Sequence, residues 1–105
     1  MDAQLRKGLL EFCVLAALEK EDSYGYRIIK DVSGCVEISE STLYPILRRM
    51  EEAGYVRAYT LEFNSRLRKY FHLSETGHAY LNMFRGERKK LIKILDFIEG
   101  KGQSE

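Results

Sequence analysis

Three helical segments, then a hairpin, then one more helix predict an α+β, mainly helical chain: a winged helix-turn-helix with a two-stranded wing and a long C-terminal helix. Three observations carry this. Apolar side chains recur at helical spacing through the first half of the sequence. Two runs rich in aromatic and branched residues follow, Val56–Phe63 and Arg68–Leu73, joined by the polar stretch 64–67. A last amphipathic repeat runs from Ser74 to Glu99.

The first helix is expected over Leu5–Glu19, where almost every position from Leu9 to Leu18 is apolar. Asp22 or Ser23 is placed to cap the second helix, in which Tyr24, Ile28, Ile29 and Val32 share helical spacing. Gly34 stops it, since glycine takes a left-handed conformation at low cost. Val36–Ile38 reads as a minimal strand. The third helix starts within Ser39–Thr42, with Leu43, Ile46, Leu47 and Met50 as its apolar stripe and Gly54 as its stop. Pro45 lacks an amide donor, which predicts an irregular start or a distorted first turn. Ser74 caps the last helix, and Glu75 suits the positive end of its dipole.

At 105 residues the chain has room for one core and no separate catalytic domain. A folded unit of this length has a radius of gyration of roughly 13 Å. With 45% hydrophobic and 31% charged residues, the composition is globular. The run Leu9–Leu18 is interrupted by Glu11 and leads into Glu19–Asp22 without a cleavage site, so no export signal is expected. No run has the length of a membrane span, and a cytoplasmic protein is the expectation. Cys13 and Cys35 are too few for a disulfide framework; Cys13 reads as a small core residue and Cys35 as part of a turn.

Net charge is only +1, but the charges are unevenly distributed. Arg66, Arg68 and Lys69 cluster at the hairpin, Arg48 and Arg49 sit together on the third helix, and acids gather at Glu19–Asp22 and Glu51–Glu52. A helix that reads DNA presents short polar side chains at its N-terminal end. Ser39, Ser41, Thr42 and Tyr44 occupy that end, where free amides also favour an anion. Arg48 follows within reach of a phosphate or a guanine edge. A basic hairpin is a natural phosphate clamp. Taken together, these features point to double-stranded DNA as the partner. The rival is a winged helix that binds only protein.

The sequence then resembles the PadR family of bacterial transcriptional regulators over about residues 5–99. Tyr24-Gly25-Tyr26 with Ile28 resembles the family's YGY-x-I. Ser41-Thr42-Leu43-Tyr44-Pro45, continuing through Arg48-Arg49-Met50-Glu51 to Gly54, resembles its GTLYP…RLE…G helix. Arg66-x-Arg68-Lys69-Tyr70-Phe71-x-Leu73-Ser74-x-x-Gly77 resembles its wing and exit. Ser41 and Ser65 stand where the family often has glycine. The resemblance implies a dimeric repressor on a palindromic operator, released by a small-molecule effector or a stress signal. It carries Tyr24, Ser39, Ser41, Thr42, Tyr44, Arg48, Arg66, Arg68 and Lys69 over as DNA-facing residues. It also implies a short form with one dimerisation helix.

The last helix supports a homodimer independently. One helix over 75–99 would be roughly 37 Å long at 1.5 Å per residue, longer than the body needs. Phe84, Leu91 and Ile98 repeat every seven residues, as do Leu81, Arg88 and Leu95, which makes a seam for a second helix. The expected organisation is therefore a DNA-binding domain over 1–74, a dimerisation helix over 75–99 and a frayed tail over 100–105. Some short members of the family stack flat molecules on a tryptophan at the dimer centre. This sequence has no tryptophan, and Arg88 stands mid-helix, which argues against such a pore.

An enzyme is not expected. His72 and His78 have no metal-ligand spacing with other residues, and no glycine-rich phosphate loop occurs. No cofactor is expected. His72 reads as an ordinary surface residue on a strand.

Overall fold

The computed structural model describes residues 3–101 and orders them as α1 (Ala3–Ala17), β1 (Ser23–Tyr24), α2 (Gly25–Ser33), α3 (Glu40–Glu52), β2 (Val56–Phe63), β3 (Arg66–Leu73), α4 (Glu75–Arg85) and α5 (Arg88–Ile98). The strands form one antiparallel sheet in the order β1-β3-β2. This is a winged helix: α2 and α3 are the helix-turn-helix pair, and β2 with β3 forms the wing. The core gathers Leu10, Val14 and Leu15 of α1, Ile28 and Val32 of α2, Leu43, Ile46, Leu47 and Met50 of α3, Val56, Phe71 and Leu73 of the sheet, and Leu81 of α4. Each such side chain contributes roughly 1.5–3 kcal/mol when fully buried.

The α3 stripe packs as its spacing predicts, and the helix starts within the expected segment. It begins at Glu40, and Pro45 lies inside it. The proline deprives the Ser41 carbonyl of its usual amide donor, a cost water can offset because Ser41 is exposed. The C-terminus is closed by a Schellman motif: the Tyr55 amide donates to the Met50 carbonyl at 2.9 Å and the Gly54 amide to Glu51 at 3.1 Å. Gly54 takes φ +85°, which its lack of a Cβ permits.

Several local expectations are corrected. The segment Val36–Ile38 is loop, not strand; the minimal strand is Ser23–Tyr24, paired with Phe71 and Tyr70 of β3. Tyr24, not Asp22 or Ser23, is the N-cap residue of α2: its backbone is extended and the helix opens at Gly25, directly after the strand. Gly34 ends α2 in a right-handed conformation, φ −65°, so no left-handed residue is used there. The wing turn is shorter than predicted. Strand β3 begins at Arg66, and Asn64-Ser65 alone turns the chain with φ of 51° and 64°. Two positive φ values in a two-residue loop mark a type I′ turn, whose twist matches that of the strands.

The single C-terminal helix is also two helices. It breaks at Gly86-Glu87, where the Glu87 amide turns back to the Phe84 carbonyl at 2.9 Å before α5 resumes. Leu81, expected on a dimer seam, is instead 2% exposed in the core of its own subunit. Phe84 is half-buried and stacks on Phe12 of α1, with centroids 4.0 Å apart. By contrast α5 buries none of its side chains. It extends the molecule to 63 Å along its long axis and raises the radius of gyration to 16.1 Å, above the value for a compact chain of this length. The tail starts in an ordered way. Lys101 donates its amide to Asp96 at 2.8 Å, and Gly100 has φ +83°, a second Schellman closure. Residues 102–105 of that expected frayed tail lie outside the described residues.

Ser65 holds a left-handed conformation that costs an L residue about 1–2 kcal/mol, partly offset by the smaller entropy serine loses on folding. Ser65→Gly is therefore expected to stabilise the fold by about 0.5 kcal/mol, read as a Tm higher by roughly 3 °C. An unchanged or lower Tm would show that the turn is not strained at this residue.

Candidate nucleic-acid interface

Burial of Leu43, Ile46, Leu47 and Met50 turns the opposite face of α3 to solvent, and Ser41, Tyr44, Pro45, Arg48 and Glu52 are exposed on it. Ser39 occupies the N-cap position with extended backbone, yet its side chain makes no capping bond. Its hydroxyl lies 3.0 Å from Ser41 Oγ and donates to Thr42 Oγ1 at 3.2 Å. The Glu40 and Ser41 amides at the helix start thus have neither an intrahelical acceptor nor the Ser39 side chain, while the Thr42 amide donates to the Ser39 carbonyl at 3.1 Å. Three clustered hydroxyls above free amides form a surface suited to an anion. Arg6 of α1 and Thr42 line the same shallow depressions beside this tip. Arg6 is a cation that sequence reading did not connect with α3, because it is far away along the chain.

The two neighbouring arginines of α3 have different fates. Arg49 forms an ion pair with Glu11, a buried carboxylate of α1. That pair ties the two helices together. Arg48 points outward instead and lines a small cleft with Tyr44, Glu51, Lys69 and Phe71. Lys69 of the wing and Arg48 of α3 therefore meet on one surface.

The wing divides its basic residues by the alternation of β3. Phe71 and Leu73 point into the core, so Lys69 shares their face and looks toward α3. Arg66, Arg68, Tyr70 and His72 take the other face, opposite Phe63, Leu61, Tyr59 and Arg57 of β2. There the Arg68 guanidinium sits 4.0 Å from the Tyr24 ring centroid and 4.1 Å from that of Phe63. Cation–π contacts of this kind contribute about 0.5–1 kcal/mol each where exposed. Tyr70 continues the row, edge-on to Tyr24 and stacked on Tyr59. The nine expected DNA-facing residues thus fall into three groups. Ser39, Ser41 and Thr42 form the helix tip; Tyr44, Arg48 and Lys69 line the helix–wing cleft; Tyr24 and Arg68 belong to the outer wing face, with Arg66 at its tip.

Residues 14–83 match the model of the transcriptional regulator PadR-like family, more than half of the chain. The protein belongs to that family. A solved structure from Streptococcus mutans is 40% identical and covers 92% of each chain with a TM-score of 0.78. A PadR-like transcription factor from Bacteroides fragilis is 31% identical, covers 91% of this chain and 95% of its own, and has a TM-score of 0.79. A PadR family transcriptional regulator from Eggerthella lenta is 28% identical, with 94% and 88% covered and a TM-score of 0.82. As a PadR-like protein the chain is a transcriptional regulator and not an enzyme. No helix among the described residues is long and apolar enough to cross a membrane.

Two further contacts shape this surface, the first between two of the PadR-like motifs. Gly25 opens α2 directly beneath the Tyr44 hydroxyl, and a Cβ at residue 25 would clash with that oxygen. The glycine of the first motif and the tyrosine of the second are thus one packing unit, and Tyr44 is 41% exposed because only part of it rests on α2. The second contact was not anticipated. Asp22, in the loop before β1, accepts a hydrogen bond from Tyr59 Oη at 2.6 Å and pairs with His72 Nδ1 at 2.8 Å. One carboxylate therefore holds both strands of the wing. His72 is a wing fastener rather than a bystander. Only the fold could reveal this, because Asp22 and His72 lie fifty positions apart.

The Tyr59 hydrogen bond, then the bond and charge of His72, hold the Asp22 carboxyl below its usual value, and Asp22 raises the Tyr59 phenol in return. The folded-state value lies below the unfolded one. The stabilisation is therefore fully present above about pH 4–5 and fades as the pH falls through the lowered folded value. Asp22→Asn is expected to lower the Tm at neutral pH and to flatten its decline below pH 4. A variant with the parental acid limb would remove Asp22 from this role.

Proposed function

We propose that this regulator binds a palindromic operator as a homodimer and represses transcription until a small effector releases it. The observation that carries this reading is the shared surface of Arg48 and Lys69, which joins the exposed face of α3 to the wing. A recognition helix in the major groove would bring the Ser39, Ser41 and Thr42 hydroxyls to phosphate, Arg48 to a base edge or phosphate, and Lys69 to the flanking backbone. Arg66 at the exposed wing tip would reach the adjacent groove. Arg68 and Tyr24, gripped by each other, would orient the wing.

The dimer reading rests on α5. Leu91, Ile94, Leu95 and Ile98 share one stripe at spacing i, i+3, i+4 and i+7, and all four are exposed in the single subunit. A helix that buries nothing at home gains stability when a second copy covers that stripe. The seam expected from sequence thereby centres on Leu91, Leu95 and Ile98, with Arg88 continuing the stripe at its N-terminal end and Phe84 at its edge. Leu81 takes no part.

Fluorescence anisotropy with duplexes from the chain's own upstream region tests the first part. Affinity should fall steeply with salt, and Arg48→Ala should weaken binding about tenfold or more. Lys69→Ala should weaken all duplexes alike and reduce the salt slope by about one. A flat salt slope would favour a winged helix that binds protein. Sedimentation tests the second part. Leu95→Asp places a carboxylate on an apolar seam without disturbing the core of its own subunit, so the variant should stay folded and sediment as a monomer. A dimeric variant would rule out this seam.

A further inference from the structure

Two thiols stand in one cavity. Cys13 of α1 and Cys35 of the loop between α2 and α3 both line a space of about 430 Å³, walled mainly by Leu9, Phe12, Val36 and Phe84. Both are free; Cys35 is exposed and Cys13 half-buried. The geometry points to a peroxide-responsive thiol pair in which Cys13 and Cys35 join as an intramolecular disulfide, tethering the helix-turn-helix loop to α1. Nothing in the family motifs uses either residue.

The roles follow from exposure. Burial and the nearby Cys35 push the Cys13 thiol up, so it rests protonated. Cys35, open to solvent, is the sulfur an oxidant meets first. Its thiolate attacks one oxygen of hydrogen peroxide, the O–O bond breaks, and Cys35 becomes a sulfenic acid while the other oxygen leaves as water after taking a proton. The Cys13 sulfur then attacks the Cys35 sulfur and gives up its proton. The S–O bond breaks, and a second water departs. Two thiols are oxidised by two electrons, and one peroxide is reduced to two waters. A disulfide needs Cα atoms within about 7 Å, so once formed it holds the loop against α1.

That loop leads into α3. The Cys35 amide donates to the Val32 carbonyl at 2.9 Å at the end of α2, and Ser39, the N-cap of α3, lies four residues on. A tether at Cys35 acts where the recognition helix starts. This regulatory consequence rests on the DNA-binding reading above; the disulfide itself does not.

The two are separated by two measurements on the full chain. After hydrogen peroxide and then alkylation, intact mass should fall by two hydrogens with no thiol left to alkylate, and a Cys13–Cys35 linked peptide should appear. Cys35→Ser and Cys13→Ala should each abolish that mass change. A sulfinic Cys35 beside an alkylatable Cys13, or a link between two chains, would overturn the pair. On a duplex bound by the reduced protein, oxidation should change affinity about fivefold or more, reversed by dithiothreitol and absent in Cys35→Ser. Equal affinity in both redox states would overturn the coupling. If the reduced protein binds no DNA, the function reading fails while the mass result still decides the thiol pair.

Discussion

The central position of β3 is the constraint on which the rest of the molecule depends. The strand lies between β1 and β2 and must bury Phe71 and Leu73, so the direction of every other side chain along it follows. A slip of one residue would put those two in water. Because the period of a strand is two, Lys69 must look toward α3 and Arg68 away from it. Chemically similar neighbours thus acquire different surroundings. One cation stands on the helix–wing surface, and the other lies between the rings of Tyr24 and Phe63.

The same separation of neighbours occurs on α3. Arg48 and Arg49 differ by one helical step of 100°, enough to place one beside Lys69 and the other against Glu11. The buried carboxylate needs a partner, since an unpaired charge in that position would be costly. Arg49 therefore sets the position of α3 against α1, while Asp22 sets the wing against the same body through Tyr59 and His72. Helix and wing are fastened separately, and their relative position follows from two polar contacts set on one apolar core.

Parts of this were legible in the sequence. The α3 stripe, its end at Gly54 and the existence of a basic hairpin follow from spacing and from the chemistry of glycine. The tight wing turn was not legible. Asn64-Ser65 lacks the glycine that usually announces a type I′ turn, and Arg66 and Leu67 read as loop because their strand pairing is with distant residues. Strand β1 is two residues long, too short for any periodicity, and exists only because β3 offers it backbone partners. The sequence marks Gly86–Lys90 only as a polar interruption of the apolar stripe, because one glycine is tolerated within a helical pattern; that the helix itself breaks at Gly86-Glu87 was not legible.

What the sequence determined by itself is the order of elements, the faces that must be buried and the supply of hydroxyls and cations at one helix end and one hairpin. Those depend on local spacing and on side-chain chemistry. The tertiary structure decided which of those groups meet. It joined Arg48 to Lys69, Gly25 to Tyr44, Asp22 to both wing strands and Cys13 to the cavity of Cys35. The physical reason is that contacts between residues tens of positions apart are set by how buried faces pack, and packing directions leave no mark in the local pattern of either partner.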